Sequence, residues 1–159
     1  MRVKEGSAIP AGLALADLRR SDYRPGIQAP KGPAMLKDHD SSAILAVANL
    51  DRAHTFYGDI LGLELAEEGK EEGVLVYRTG ATRLIVYESE YAGTNRANAV
   101  VWGVGGDIDS IVEALESKGA TFEHYPGIGD LEGNVHHAGG EKLVWIKDPD
   151  GNILHLNSM

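Results

Sequence analysis

The chain has 159 residues, 43% of them hydrophobic and 25% charged, and no cysteine. That length holds one domain with a real core, and the missing cysteine excludes disulfides, thiolate metal sites and thiol nucleophiles. The formal charge of −9 is uneven: residues 1–34 carry six Lys/Arg against three Asp/Glu, leaving nine against 21 for the remainder. An acidic body repels phosphate backbones, which argues against a nucleic-acid partner. No apolar run approaches the roughly 20 residues that a membrane-spanning helix needs, so no membrane partner is expected.

Residues 1–34 hold four of the six prolines and show no sustained periodicity. They read as a largely irregular extension, with a helical turn or two around Leu13, Leu15 and Leu18. Arg2 and Lys4 ahead of Ala8 to Ala16 imitate a signal peptide. Glu5 in the basic segment and Pro10 and Gly12 in the apolar one argue against it, and a cytoplasmic location is expected. Residues 35–159 read as a single domain.

From Ser42 the pattern sharpens. Ala43 to Val47 suggests a buried strand. Asn49 is placed to cap a helix in which Leu50, Ala53, Tyr57 and Leu61 recur at helical spacing, and Gly62 stops it. Leu63 and Leu65, then Val74 and Val76, then Leu84 and Val86 mark three strands, the last two joined at Thr79-Gly80-Ala81. The order then recurs. Asn98 to Val104 is a strand, Asp107 is placed to cap a helix ending at Gly119, and Ala120 to His124 is a strand. Tyr125 to Gly140 is a Gly-rich loop long enough to act as a lid. Leu143 to Lys147 and Ile153 to Asn157 form a hairpin across Asp148-Pro149-Asp150-Gly151. Val47 and Val104 lie 57 residues apart, as do Gly62 and Gly119. A duplicated β-α-β-β-β unit follows, an α+β fold of two βαβββ modules. The alternative on pattern alone is a ferredoxin-like fold.

Two stretches carry a resemblance. Val47-Ala48-Asn49-Leu50 through Phe56-Tyr57 and Leu61-Gly62-Leu63, together with Asp148-Pro149-Asp150-Gly151-Asn152, resemble the signatures of the vicinal oxygen chelate superfamily, which includes glyoxalase I, bleomycin-resistance proteins and extradiol dioxygenases. Tyr87 to Thr94 is similar to its small glyoxalase-like subgroup. The resemblance implies homodimers, two βαβββ modules forming a curved mixed sheet around a cup, and metal ligands on the first and last strand of each module. Carried onto this chain, those positions are Ser42, Val86, Ala99 and His155. One imidazole among a hydroxyl and two hydrocarbons is not the three or four ligands such an ion requires, so no cofactor is expected; a divalent metal on non-standard ligands is the alternative.

Strand alternation places His155 in the cup, away from Leu154 and Leu156, with Ile44, Leu84, Val101 and Ile153 as lining and Glu88 and Asn157 as a polar rim. Glu88 beside His155 would be an acid–base pair. His136 and His137 sit in the lid-like loop. Asp148-x-Asp150-x-Asn152 starts like a calcium loop but lacks its later Gly and Glu, and Gly103-Val104-Gly105-Gly106 lacks dinucleotide spacing. No serine-hydrolase elbow occurs. The leading expectation is a protein that binds a small organic molecule in the cup, as in antibiotic sequestration. A lyase or isomerase using His155, and a dimeric scaffold, are the alternatives.

Overall fold

The structure, a computed structural model, describes residues 35–69 and 72–159. The extension read over residues 1–34 lies outside the described residues. The chain divides into two compact units, Met1–Asp40 and Ser41–Met159. Of the first, the described part holds a 3-10 turn at Leu36–Asp38.

The second unit is the duplicated fold. Its first module runs β1 (Ala43–Val47), α1 (Leu50–His54), β2 (Leu65–Gly69), β3 (Val74–Thr79) and β4 (Thr82–Glu88). The second runs β5 (Asn98–Gly103), α2 (Ile108–Ser117), β6 (Thr121–Glu123), β7 (Asp130–Glu132), β8 (Val135–Ala138), β9 (Glu141–Lys147) and β10 (Ile153–Asn157). In the first sheet the order is β1-β4-β3-β2, and in the second β5-β10-β9-β8-β7 with β6 also on β9. The first strand of each module runs parallel to its last, and the last antiparallel to the one before it. This is the same path drawn twice.

Local chemistry explains most boundaries. Asn49 is extended, and its Oδ1 accepts the Arg52 N–H at 2.8 Å, so α1 is capped as expected. Beyond His54 the helix widens into a π turn, Thr55–Ile60, in which the Leu61 N–H donates to Phe56 O. Helical spacing does not distinguish this from an ordinary helix. Gly62 then leaves the helix at φ 71°, a conformation that disfavours any side chain. Asp107 does not cap α2 through its side chain: it sits in αR geometry at the end of a 3-10 turn, Gly105–Asp107.

The lid-like loop is the main correction. Within residues 125–140 lies the β7–β8 hairpin, and β8 extends the edge of β9 that β6 leaves uncovered. Sequence alternation missed it because β7 is three exposed residues.

The core lies between the helices and one face of both sheets. Leu45, Leu75, Tyr77, Leu84 and Val86 supply it from the first module. Val112, Leu115, Val144, Ile146, Leu154 and Leu156 supply it from the second. Among the described residues no helix is long and apolar enough to cross a membrane.

Candidate functional site

Cross-strand partners share a face of a pleated sheet, so the register assigns each side chain. Leu45 pairs with Val86, and Val86 with Leu75; all three are core. Ile44 pairs with Ile85, and Ile85 with Val76, on the opposite, concave face. In the second module the matching concave row is Val101, His155 and Trp145. Ile44 and Val101 are 57 residues apart, so the first-module counterpart of His155 is Ile85.

The placement of Val86 and Leu84 on the cup face is therefore corrected: both are fully buried on the core side. Leu84 nonetheless lines the cleft described below. The slip has a plain cause. The turn between β3 and β4 has two residues and that between β9 and β10 has five, so counting across one hairpin does not transfer to the other. Glu88, which pairs with Val47, shares the Leu84 and Val86 face at the exposed end of β4. It is not brought to His155, and the acid–base pair is withdrawn. Asn157 is buried, and its Oδ1 accepts the Met159 N–H, so it holds the end of the chain. Ala99 is the unpaired residue of a bulge opposite Ile153 and Leu154.

His155 does occupy the concave face, at 9% exposure, stacked on Trp145 with ring centroids 4.7 Å apart and planes 26° apart. Trp145 also meets the Tyr125 ring edge-on at 5.1 Å and the His136 ring at 5.3 Å. The His155 Nδ1 lies 3.1 Å from the Val144 carbonyl, which can only accept, so Nδ1 carries the proton. Burial lowers its pKa, opposed by that hydrogen bond. The result is a neutral ring whose Nε2 presents a lone pair with no partner among the described residues.

His136 is different. Its Nδ1 donates to Ile128 O at 2.8 Å and its Nε2 accepts the Tyr125 N–H at 3.3 Å. Both nitrogens are used to pin the Tyr125–Ile128 turn onto β8. His137 lies near Glu132, and His124 shares a hydrogen bond with Asn134.

A cleft of about 420 Å³ opens between β1 and β5, lined by Ser41, Ser42, Thr79, Thr82 and Arg83 on one side and Ala99, Val101 and Trp102 on the other. It gathers four of the expected lining positions, Ser42, Leu84, Ala99 and Val101. Ile44 and Val101 are about half exposed nearby, while Ile153 is buried on β10. Arg83 was missed, although it stands two residues before Ile85 and so on the same face. Trp145 was missed too, although the expected β9–β10 hairpin already set it opposite His155.

The two signature stretches meet in the core. The Tyr57 hydroxyl donates to Asp148 Oδ2 at 2.7 Å, and Asn152 Nδ2 donates both to that oxygen and to Ala46 O. Asp148 Oδ1 accepts the backbone N–H groups of Asp150 and Asn152, closing the turn. Arg52 from α1 pairs with Asp150. These residues tie the first helix to the closing hairpin of the other module, which is a structural duty.

A model of the glyoxalase/bleomycin resistance protein/dioxygenase superfamily matches residues 40–156. The chain belongs to this superfamily. No curated protein matches it by sequence. Among solved structures it is similar to a superfamily protein from Alicyclobacillus acidocaldarius, at TM-score 0.59 and 18% identity over 76% of this chain and 90% of that one. It is similar to a lactoylglutathione lyase from Agrobacterium tumefaciens, at 0.57 and 18% over 76% and 92%. It is also similar to the fosfomycin resistance protein FosX from Mesorhizobium loti, at 0.57 and 11% over 79% and 94%. At these identities the likeness is one of fold.

The register also tests the superfamily's metal. With Ile85 in place of Val86, the four positions hold a serine, an isoleucine, an alanine and one histidine. Among the described residues no group of three His, Asp or Glu side chains is placed to hold an ion. The residues present do not fit a divalent metal at that position.

Proposed function

We propose that this protein binds a small planar organic molecule on the concave face of its second module, through Trp145 and His155, without a divalent metal. The observation that carries the reading is the His155 ring: neutral, fixed in the Nδ1–H form, stacked on Trp145, and holding an acceptor with no partner among the described residues. Buried polar groups in apolar recesses orient ligands. Nε2 is matched to a hydroxyl or N–H on the ligand, and the aromatic rings supply a stacking surface. One similar structure, FosX, is a fosfomycin resistance protein, and sequestration of an antibiotic falls within the proposal.

The same lone pair favours a second reading, an enzyme of the lyase or isomerase type in which His155 takes a proton from the bound molecule. Among the described residues no second titratable side chain is hydrogen-bonded to His155 to return that proton, and this makes binding the preferred reading. We further propose a cytoplasmic homodimer, since superfamily members commonly dimerise.

The test has two arms. Elemental analysis after dialysis without chelator is expected to find far less than one equivalent of zinc, nickel, iron or manganese. One equivalent, lost in His155→Ala, overturns the metal-free reading. A screen of planar hydroxylated compounds is expected to raise the melting temperature of the wild type and not of His155→Ala, since only a ligand of the folded state stabilises it. Turnover of such a compound by the metal-free protein would favour the enzyme.

A further inference from the structure

The cleft beside Val101 has a chemistry of its own. Its polar wall is made of donors: the Arg83 guanidinium and the hydroxyls of Ser41, Ser42, Thr79 and Thr82. Among the described residues no carboxylate lines it, although residues 35–159 carry 21 Asp/Glu against nine Lys/Arg. The threonine hydroxyls are engaged with each other in the β3–β4 turn. Those of Ser41 and Ser42 make no hydrogen bond among the described residues. The Arg83 side chain is only 20% exposed, and Glu67 holds it from outside the cleft at 3.4 Å. The opposite wall is apolar and includes Val101. Val101 is the strand partner of His155, and adjacent strands lie about 4.8 Å apart.

We propose that Arg83, with Ser41 and Ser42, is the anion-binding end of the site, so that the ligand is an aromatic carboxylic acid or a similar planar organic anion. This rests on the concave-face reading above and adds the ligand's charge to it. The carboxylate sits in the cleft on the guanidinium and the serine hydroxyls, the ring lies over Val101, and its far edge reaches His155 Nε2 and Trp145. A guanidinium presents paired N–H donors that match a carboxylate, which a neutral amide of the same shape cannot exploit. Glu67 competes for the same guanidinium and is the internal counter-ion that a ligand displaces.

The experiment compares naphthalene-2-carboxylate with its neutral isostere naphthalene-2-carboxamide by isothermal titration calorimetry on the full chain. The wild type is expected to bind the carboxylate about tenfold more tightly, and rising salt should erode only that preference. Arg83→Met should abolish it, bringing the carboxylate to the affinity of the amide, while Arg83→Lys keeps part. Glu67→Gln should tighten the carboxylate alone, about threefold. The Arg83–Glu67 pair is partly exposed, so these variants fold, and melting curves verify it. Equal binding of both probes by the wild type, or an undiminished preference in Arg83→Met, overturns the anion end and leaves the His155 reading standing. Two probes bound as well by His155→Ala as by wild type overturn the concave-face reading itself. Binding of neither probe at millimolar concentration counts against both.

Discussion

Replacing Tyr57 by Phe tests whether the family signature is structural. Tyr57 is fully buried, and its hydroxyl is one of four donors to the Asp148 carboxylate, itself 4% exposed. Removing the hydroxyl leaves Oδ2 with the Asn152 amide alone in a buried site. A hydrogen bond to a charged group contributes about 1.5–3 kcal/mol, and a deleted oxygen leaves too little space for a large cavity term. We expect a loss of about 2 kcal/mol, or about 4–8 °C in Tm for a chain of this size. Urea denaturation should show a lower midpoint at unchanged slope. In an Asp148→Asn background the same substitution should cost less, since contacting partners couple. Alkaline pH gives an independent reading. Burial first, and then the Asp148 charge, raise the Tyr57 pKa far above its ordinary value of 10.0. With the folded value above the unfolded one, this contribution is complete below pH 10 and is lost as pH rises beyond it. Tyr57→Phe should flatten that decline, with Tyr77, pushed up to about 12 by burial, leaving a residual slope in both proteins. A Tyr57→Phe protein within about 0.5 kcal/mol of wild type, with the same alkaline limb, refutes the reasoning.

His155 should act at the acid end: its lowered pKa means its contribution is present above the ordinary 6.5 and is lost as pH falls below it, so His155→Phe should be less acid-sensitive by thermal melting between pH 7 and 5. Gly129→Ala should cost at least about 2 kcal/mol in denaturant titration, because φ there is +57° and an added Cβ would meet His137 O at 2.0 Å. A gentle effect would deny the close approach of the 125–129 turn to β8. Deleting residues 1–34 should leave Tm nearly unchanged, and a loss of several degrees would show that the segment docks. Light scattering should give a dimer mass at micromolar concentration, and a concentration-independent monomer would count against the homodimer.

The duplication was legible because both modules keep the same distance from first strand to helix stop, so a fixed offset links Val47 to Val104 and Gly62 to Gly119. The offset failed at β4, where turn lengths differ between modules and the error of one residue exchanged Ile85 for Val86. His155 was legible because Leu154 and Leu156 flank it on a strand whose ends the Asp148–Asn152 turn fixes. Its tautomer was not, since that depends on Val144 O across the sheet. The β7–β8 hairpin left no trace, because β7 is three exposed residues and β8 only four, too few to carry a hydrophobic period. The roles of Tyr57 and Asp148 were hidden for another reason: the sequence shows two motifs 91 residues apart, and only the fold shows that they bond to each other.

The two modules put different side chains on one backbone plan. The row Ile44, Ile85 and Val76 is hydrocarbon throughout, whereas its counterpart Val101, His155 and Trp145 carries an acceptor and two π faces. A row of the first kind gains only from burial, which is indifferent to what covers it. A row of the second kind discriminates, because an imidazole lone pair left without a donor costs free energy that a correctly shaped hydroxyl or N–H recovers. Under the proposed function, selectivity for ring and hydroxyl is therefore concentrated in the second module. The first contributes a charge at the near edge, through Arg83, and a rigid anchor from behind, through Tyr57 and Arg52 on the Asp148–Asn152 turn. That turn leads directly into β10, so the helix of one module sets the position of the histidine in the other. A substitution at Tyr57 or Asp148 should then reach His155 by moving the strand that carries it, without either residue touching the ligand.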